Sequence, residues 1–131
     1  MTVELTIAGL CCLLLAFGHT AIGARWVLPN LTPADLPATP FGPPPLTLAM
    51  VRFTWQVVSL LLIAFGVLLL ALAAAPDADP KILLLRWFAV LWLAASALAV
   101  WNARRRLRSI PRLPVPAVML VIAVMCWAAS T

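Results

Sequence analysis

Apolar residues in this chain fall in long, nearly unbroken runs. They lack the strict alternation of a half-buried strand and the one-sided stripe of a soluble amphipathic helix. The runs extend over about 3–24, 47–75, 81–103 and 115–130. A helix crosses the hydrocarbon core of a bilayer with about 20 predominantly apolar residues. Inside lipid, backbone polar groups must be satisfied within the segment or by closing a barrel. The pattern therefore predicts an all-α fold: a polytopic membrane protein with four transmembrane helices in an antiparallel bundle, forming one transmembrane domain over residues 1–131. The fourth run is the shortest and begins between Pro114 and Pro116.

The intervening segments differ in kind. Residues 25–46 hold Pro29, Pro33, Pro37, Pro40, Pro43, Pro44 and Pro45. Proline removes a backbone donor and blocks helix continuation, so an extended, polyproline-like connector is expected here. Trp26, Leu28, Leu31 and Phe41 would rest among lipid headgroups. Pro76 to Pro80 reads as a compact turn, and residues 104–114 as a basic loop. The first run differs from a secretory signal: its leading end carries Glu4 without Lys or Arg, and its apolar stretch is too long.

Composition agrees with lipid as the solvent. The chain is 65% hydrophobic and 10% charged, whereas soluble domains carry about 25% charged residues. The net charge of +5 sits at the ends of the apolar runs. It reads as orientation and contact with anionic headgroups, not as a nucleic-acid surface. Arg104, Arg105, Arg106, Arg108 and Arg112 place the last loop in the cytoplasm by the positive-inside rule. Alternation puts the proline-rich connector, with Arg25 and Arg52, on the same side. Lys81 and Arg86 then lie outside beside Asp77 and Asp79, and both termini are extracytoplasmic. Tryptophan agrees, with Trp26, Trp55 and Trp101 near the inner interface and Trp87 and Trp127 near the outer one. The expected location is the bacterial inner (cytoplasmic) membrane, with Arg104, Arg105, Arg106 and Arg108 against lipid headgroups.

Within the first span, Gly9, Cys12, Ala16, His19 and Gly23 recur at spacings of three and four. They define a face of small side chains on which a second helix can approach closely. Such a face is either a packing seam alone (Gly9, Cys12, Ala16, Gly23) or a seam that positions His19, the single histidine. Arg52, Gln56, Ser59 and Gly66 share one face of the second span, and Asn102 ends the third at similar depth. His19, Thr20, Arg52, Gln56 and Asn102 thus form a candidate polar layer for a ligand or proton, since intramembrane polar groups usually face a bundle interior. The plainer alternative has Arg52 reaching the headgroups and His19 bonded to Gln56 or a backbone carbonyl.

Little else carries chemistry. No nucleophile elbow, Walker or HExxH pattern occurs, so no catalytic residues are expected. One histidine and scattered Cys11, Cys12 and Cys126 do not make a zinc site, and no metal or cofactor is expected. Small multidrug transporters resemble the chain in size only: they rely on a carboxylate deep in the first helix, and Glu4 lies at its outer end.

Gly18-His19-Thr20-Ala21-Ile22-Gly23, then Leu28-Pro29, then Arg52-Phe53-Thr54-Trp55-Gln56-Val57-Val58-Ser59 resembles a group of uncharacterised small four-helix bacterial membrane proteins. Those show a histidine-then-glycine stretch ending the first span and a Trp-His pair in the second. His19 and Trp55 match. Gln56 stands in place of the second histidine, and Ala24 in place of an acidic residue. The resemblance implies the four-helix topology and proximity of His19 to Gln56.

The leading expectation is a non-enzymatic protein acting by helix packing, as a homo-oligomer or as an accessory subunit beside other membrane proteins, with anionic lipid as its other partner. One alternative is a transporter or channel subunit whose pathway passes His19, Arg52 and Gln56. Another is a haem or quinone redox subunit.

Overall fold

A computed structural model describes residues 2–40, 42–76, 78–103 and 115–131. Among these the chain is all-helical, with α1 Val3–Ile22, α2 Pro44–Ala74, α3 Asp79–Ala103 and α4 Val115–Ala128. Three helices are long and apolar enough to cross a membrane, and α4 is a shorter apolar helix. The loop 104–114, with Arg104, Arg105, Arg106 and Arg108, lies outside the described residues, as do Phe41 and Asp77.

Proline placement explains where the helices begin. Pro44 and Pro45 are the first residues of α2, and Pro80 follows Asp79 at the start of α3. The first N–H groups of a helix have no intrahelical acceptor, so proline costs nothing there and its fixed φ suits the turn. The helices accordingly start a few residues before the points at which proline would have been taken to break them.

The connector after α1 departs from the extended form expected of it. The helix continues beyond Ile22 through a π-turn at Gly23–Val27 and a 3₁₀ turn at Leu28–Asn30, giving one helical stretch Val3–Asn30 of 28 residues. A second 3₁₀ turn covers Pro33–Asp35. Pro33 opens its turn and Pro29 is second in its own, early positions where the missing N–H is tolerated. The first part of the segment is thus helical, whereas Leu31, Thr32, Leu36 and Pro43 keep the extended backbone expected of it. Asp35 Oδ2 accepts from the Thr32 backbone N–H at 2.8 Å and from its hydroxyl at 2.7 Å. These bonds, the hydroxyl's first, hold the Asp35 carboxyl below its ordinary range. A carboxyl lowered in this way favours the ordered turn at neutral pH, and that contribution is lost as pH falls through the lowered value. The Thr32 amide resonance is expected to titrate with a midpoint below about 3.9; Asp35→Ala should abolish that titration and speed exchange of the same amide.

The helices α1 and α2 run antiparallel in a constant register. Thr2 N–H bonds the Ala73 carbonyl at 3.2 Å, and the Cys12 thiol bonds the Leu62 carbonyl at 3.2 Å. At Gly9 and Gly66 the backbones come so close that a Cβ on either would lie 3.0 and 3.1 Å from the other's carbonyl oxygen. Helix α4 packs on both α1 and α3, and Ser96 of α3 donates to the Pro116 carbonyl at 2.8 Å. Phe65 of α2 meets α3 edge-on at Phe88 and Trp92, with ring centroids 5.3 and 6.0 Å apart.

The buried core sits at one end. It joins Leu5, Ala8 and Cys12 of α1 to Leu69 and Ala73 of α2, to Leu85, Phe88, Ala89 and Trp92 of α3, and to Ile122, Ala123 and Cys126 of α4. All four helices contribute where the termini and the α2–α3 turn lie. There Lys81 is buried, and its ammonium donates to the carbonyl of Ala75, which caps α2, at 2.9 Å. A cation at a helix C-terminus complements both the unpaired carbonyls and the helix dipole.

Candidate functional site

At the other end of the α1–α2 pair lies a compact polar and aromatic cluster. His19 stacks on Trp55 with ring centroids 4.3 Å apart and planes 15° from parallel. The Trp55 indole N–H donates to the His19 backbone carbonyl at 3.0 Å. That carbonyl also accepts the Gly23 N–H of its own helix. On the far side of the ring, His19 Nδ1 lies 3.0 Å from the Ser59 hydroxyl oxygen, and the Ser59 hydroxyl donates to the Trp55 carbonyl at 3.1 Å. Ser59 is buried and His19 half-buried. Trp55 and Ser59 are one turn apart on α2, so one indole and one hydroxyl fix the imidazole from two sides.

Gly23 makes this arrangement possible. A Cβ there would run into the Trp55 indole ring, closest to its nitrogen. The π-turn begins at this glycine. Single π-turns within helices occur often at functional sites.

The remaining members of the expected polar layer stand apart. The Thr20 hydroxyl turns back to the Ala16 carbonyl of its own helix at 2.8 Å. Arg52, Gln56 and Asn102 are exposed, and among the described residues no hydrogen bond joins them to His19. The reason is angular. Successive residues are about 100° apart around a helix, so Trp55 against α1 sends Gln56 away from it. Ser59 takes the place expected for Gln56. Gly9, Cys12, Ala16 and Gly23 are all buried, on the face that meets α2 and α4.

Beside the cluster is an open recess of ≈ 320 Å³. Its walls include His19, Trp55, Thr47, Val51, Thr54 and Val58. Ligand pockets generally range over about 300–1,000 Å³ and are mostly apolar with a few fixed polar groups. Recess and cluster together are the candidate site.

No family model, curated protein or solved structure matches this chain.

The site must therefore be read from its own chemistry. Among the described residues no group of three or more His, Cys, Asp or Glu side chains is placed to hold a metal ion. Cys11, Cys12 and Cys126 are free thiols, and the Cys12 thiol is engaged by a carbonyl. What the arrangement can do is present one oriented imidazole to an apolar groove. Trp55, which the sequence pattern marks as an interfacial anchor, and Ser59 are the two cluster residues outside the expected polar layer. The available signal was the Trp55–Ser59 pair at one-turn spacing facing the small residue Gly23.

Proposed function

We propose that the protein is a four-pass protein of the bacterial inner membrane, with both termini extracytoplasmic, and that it works by self-association rather than catalysis. The observation that carries this reading is Gln56. Its carboxamide is exposed on α2 and has no hydrogen-bond partner among the described residues. It lies about 27 Å along the helix from the outer end of α2, near the inner edge of a hydrocarbon core about 30 Å thick.

A carboxamide at that depth, partly withdrawn from water, gains from a hydrogen-bond partner. A second copy of the same helix supplies one, because the group both donates and accepts. The surroundings fit such a contact. Ala49, Phe53, Gln56, Leu60, Ile63 and Val67 are all exposed, and they follow one another at alternating spacings of four and three. That is the heptad seam on which membrane helices pack at shallow left-handed crossings. Orientation rests on Arg25 and Arg52, with the basic loop beyond α3, all reading as cytoplasmic and facing anionic headgroups.

Native mass spectrometry in mild detergent tests the reading. The parent is expected to be oligomeric. Gln56→Leu keeps the seam apolar but removes the bond, and should weaken association by about 3–30-fold, matching the ~0.6–2 kcal/mol measured for interhelical hydrogen bonds. A monomeric parent would overturn self-association and leave the seam to a different membrane subunit. An unchanged oligomer in Gln56→Leu would remove Gln56 from the interface.

A further inference from the structure

Two contacts at Ser59 bear on which ring nitrogen of His19 carries the proton, and one assignment satisfies both. A serine hydroxyl carries one hydrogen. That of Ser59 is donated to the Trp55 carbonyl, so the Ser59 oxygen acts as acceptor toward His19 at 3.0 Å. Nδ1 therefore carries the proton of the neutral ring, and Nε2 is left as a bare acceptor. Among the described residues Nε2 has no hydrogen-bond partner, and it is not one of the buried unsatisfied atoms, which there are Thr2 Oγ1 and Trp92 Nε1. It is therefore accessible, and His19 is one of the residues that line the recess. The stack on Trp55 and the bond from the indole to the His19 carbonyl hold the ring in this pose.

Around that acceptor the recess is mostly apolar. Thr47 directs its hydroxyl to the Pro37 carbonyl at 3.4 Å, leaving His19 and Thr54 as its available polar groups. A site with an acceptor nitrogen, apolar walls and one open side suits an amphiphile that carries a hydroxyl donor on an apolar ring. We propose that the recess binds such a phenol-type amphiphile, the ring lying against Val51, Val58 and the Trp55 edge, the hydroxyl donating to His19 Nε2, and the tail extending into the bilayer. No covalent or redox step is involved. Thr54 and Gln56 are two residues apart and project about 160° apart around α2, so the site stays open when the Gln56 seam is occupied. The inference does not depend on self-association.

Because His19 is the single histidine, isotopically labelled histidine reports this site alone by nitrogen NMR. In lipid nanodiscs above the imidazole titration range, the spectrum should show Nδ1 protonated and Nε2 bare. Titration with para-hexylphenol should shift the Nε2 resonance saturably. Its methyl ether, which has the same tail but no proton to donate, should bind about tenfold more weakly and leave Nε2 unmoved. Val51→Phe, which fills the recess, should abolish the phenol response while keeping the Nδ1–H form. Ser59→Ala should lose the preference for that form. An Nε2–H ring in the parent would overturn the proposal. So would equal responses to phenol and ether, no response to either, or a phenol response that survives Val51→Phe.

Discussion

Replacing Gly23 by alanine is expected to destabilise the protein by about 1–3 kcal/mol, the usual cost of forcing extra volume into a filled contact. The added methyl would meet the indole of Trp55. A rigid ring cannot fold away as the end of a leucine can. Relief requires moving the indole, which breaks its bond to the His19 carbonyl and its stack on the imidazole. The matched control is on the same helix. A Cβ at Gly18 meets nothing within 4 Å, so Gly18→Ala should gain about 0.5–1 kcal/mol from reduced backbone freedom in the unfolded chain. Unfolding in mixed detergent, followed by tryptophan fluorescence, compares the two. Opposite signs for one chemical change at two positions five residues apart are the expected result. Equal effects would mean that Trp55 does not sit against Gly23.

The crossing of α1 and α2 at Gly9 and Gly66 should respond differently. A Cβ at Gly9 would lie 2.8 Å from the Leu70 side chain and 3.0 Å from the Gly66 carbonyl oxygen. One at Gly66 would lie 2.8 Å from the Leu13 side chain and 3.1 Å from the Gly9 oxygen. The leucines can swing aside, but the carbonyls belong to the two backbones and yield only if the helices separate. Each alanine variant should cost about 1–3 kcal/mol. The double variant should cost clearly less than the sum, because separation forced by the first methyl makes room for the second. Simple additivity in a double-mutant cycle would show that each site relaxes locally, without movement of the helices. Cys12, held to the Leu62 carbonyl between these glycines and the His19 cluster, would be displaced in the same separation.

These contacts mark where sequence reasoning reached and where it stopped. Helical class followed from the apolar runs, because lipid leaves few other ways to satisfy a backbone. The small face of α1 was legible as well, since Gly9, Cys12, Ala16 and Gly23 repeat at helical spacing. What lies opposite that face was not legible. Polar residues on α2 had been used to find its inward side, which favoured Arg52 and Gln56. In the structure an aromatic residue, Trp55, sets the inward side, and Gln56 is turned away by its position next to it. Size complementarity between Gly23 and Trp55 outweighs polarity, and it depends on pairing two helices whose register no single sequence prints. The connector was misjudged for a local reason. At the first position of a turn proline starts a helix, as Pro33 and Pro44 do, while Pro29 is carried within the helical stretch Val3–Asn30.

The one-sided placement of the core has a consequence for how the molecule gives way. Leu5, Leu69, Leu85, Ile122 and Cys126 lock four helices together near the termini, whereas the His19 end is held by a stack, two hydrogen bonds and a glycine contact between α1 and α2. Cooperative units with few buried apolar contacts open first. The His19 end is therefore expected to open at lower cost than the base, and an occupant of the groove that bridges α1 and α2 would oppose that opening.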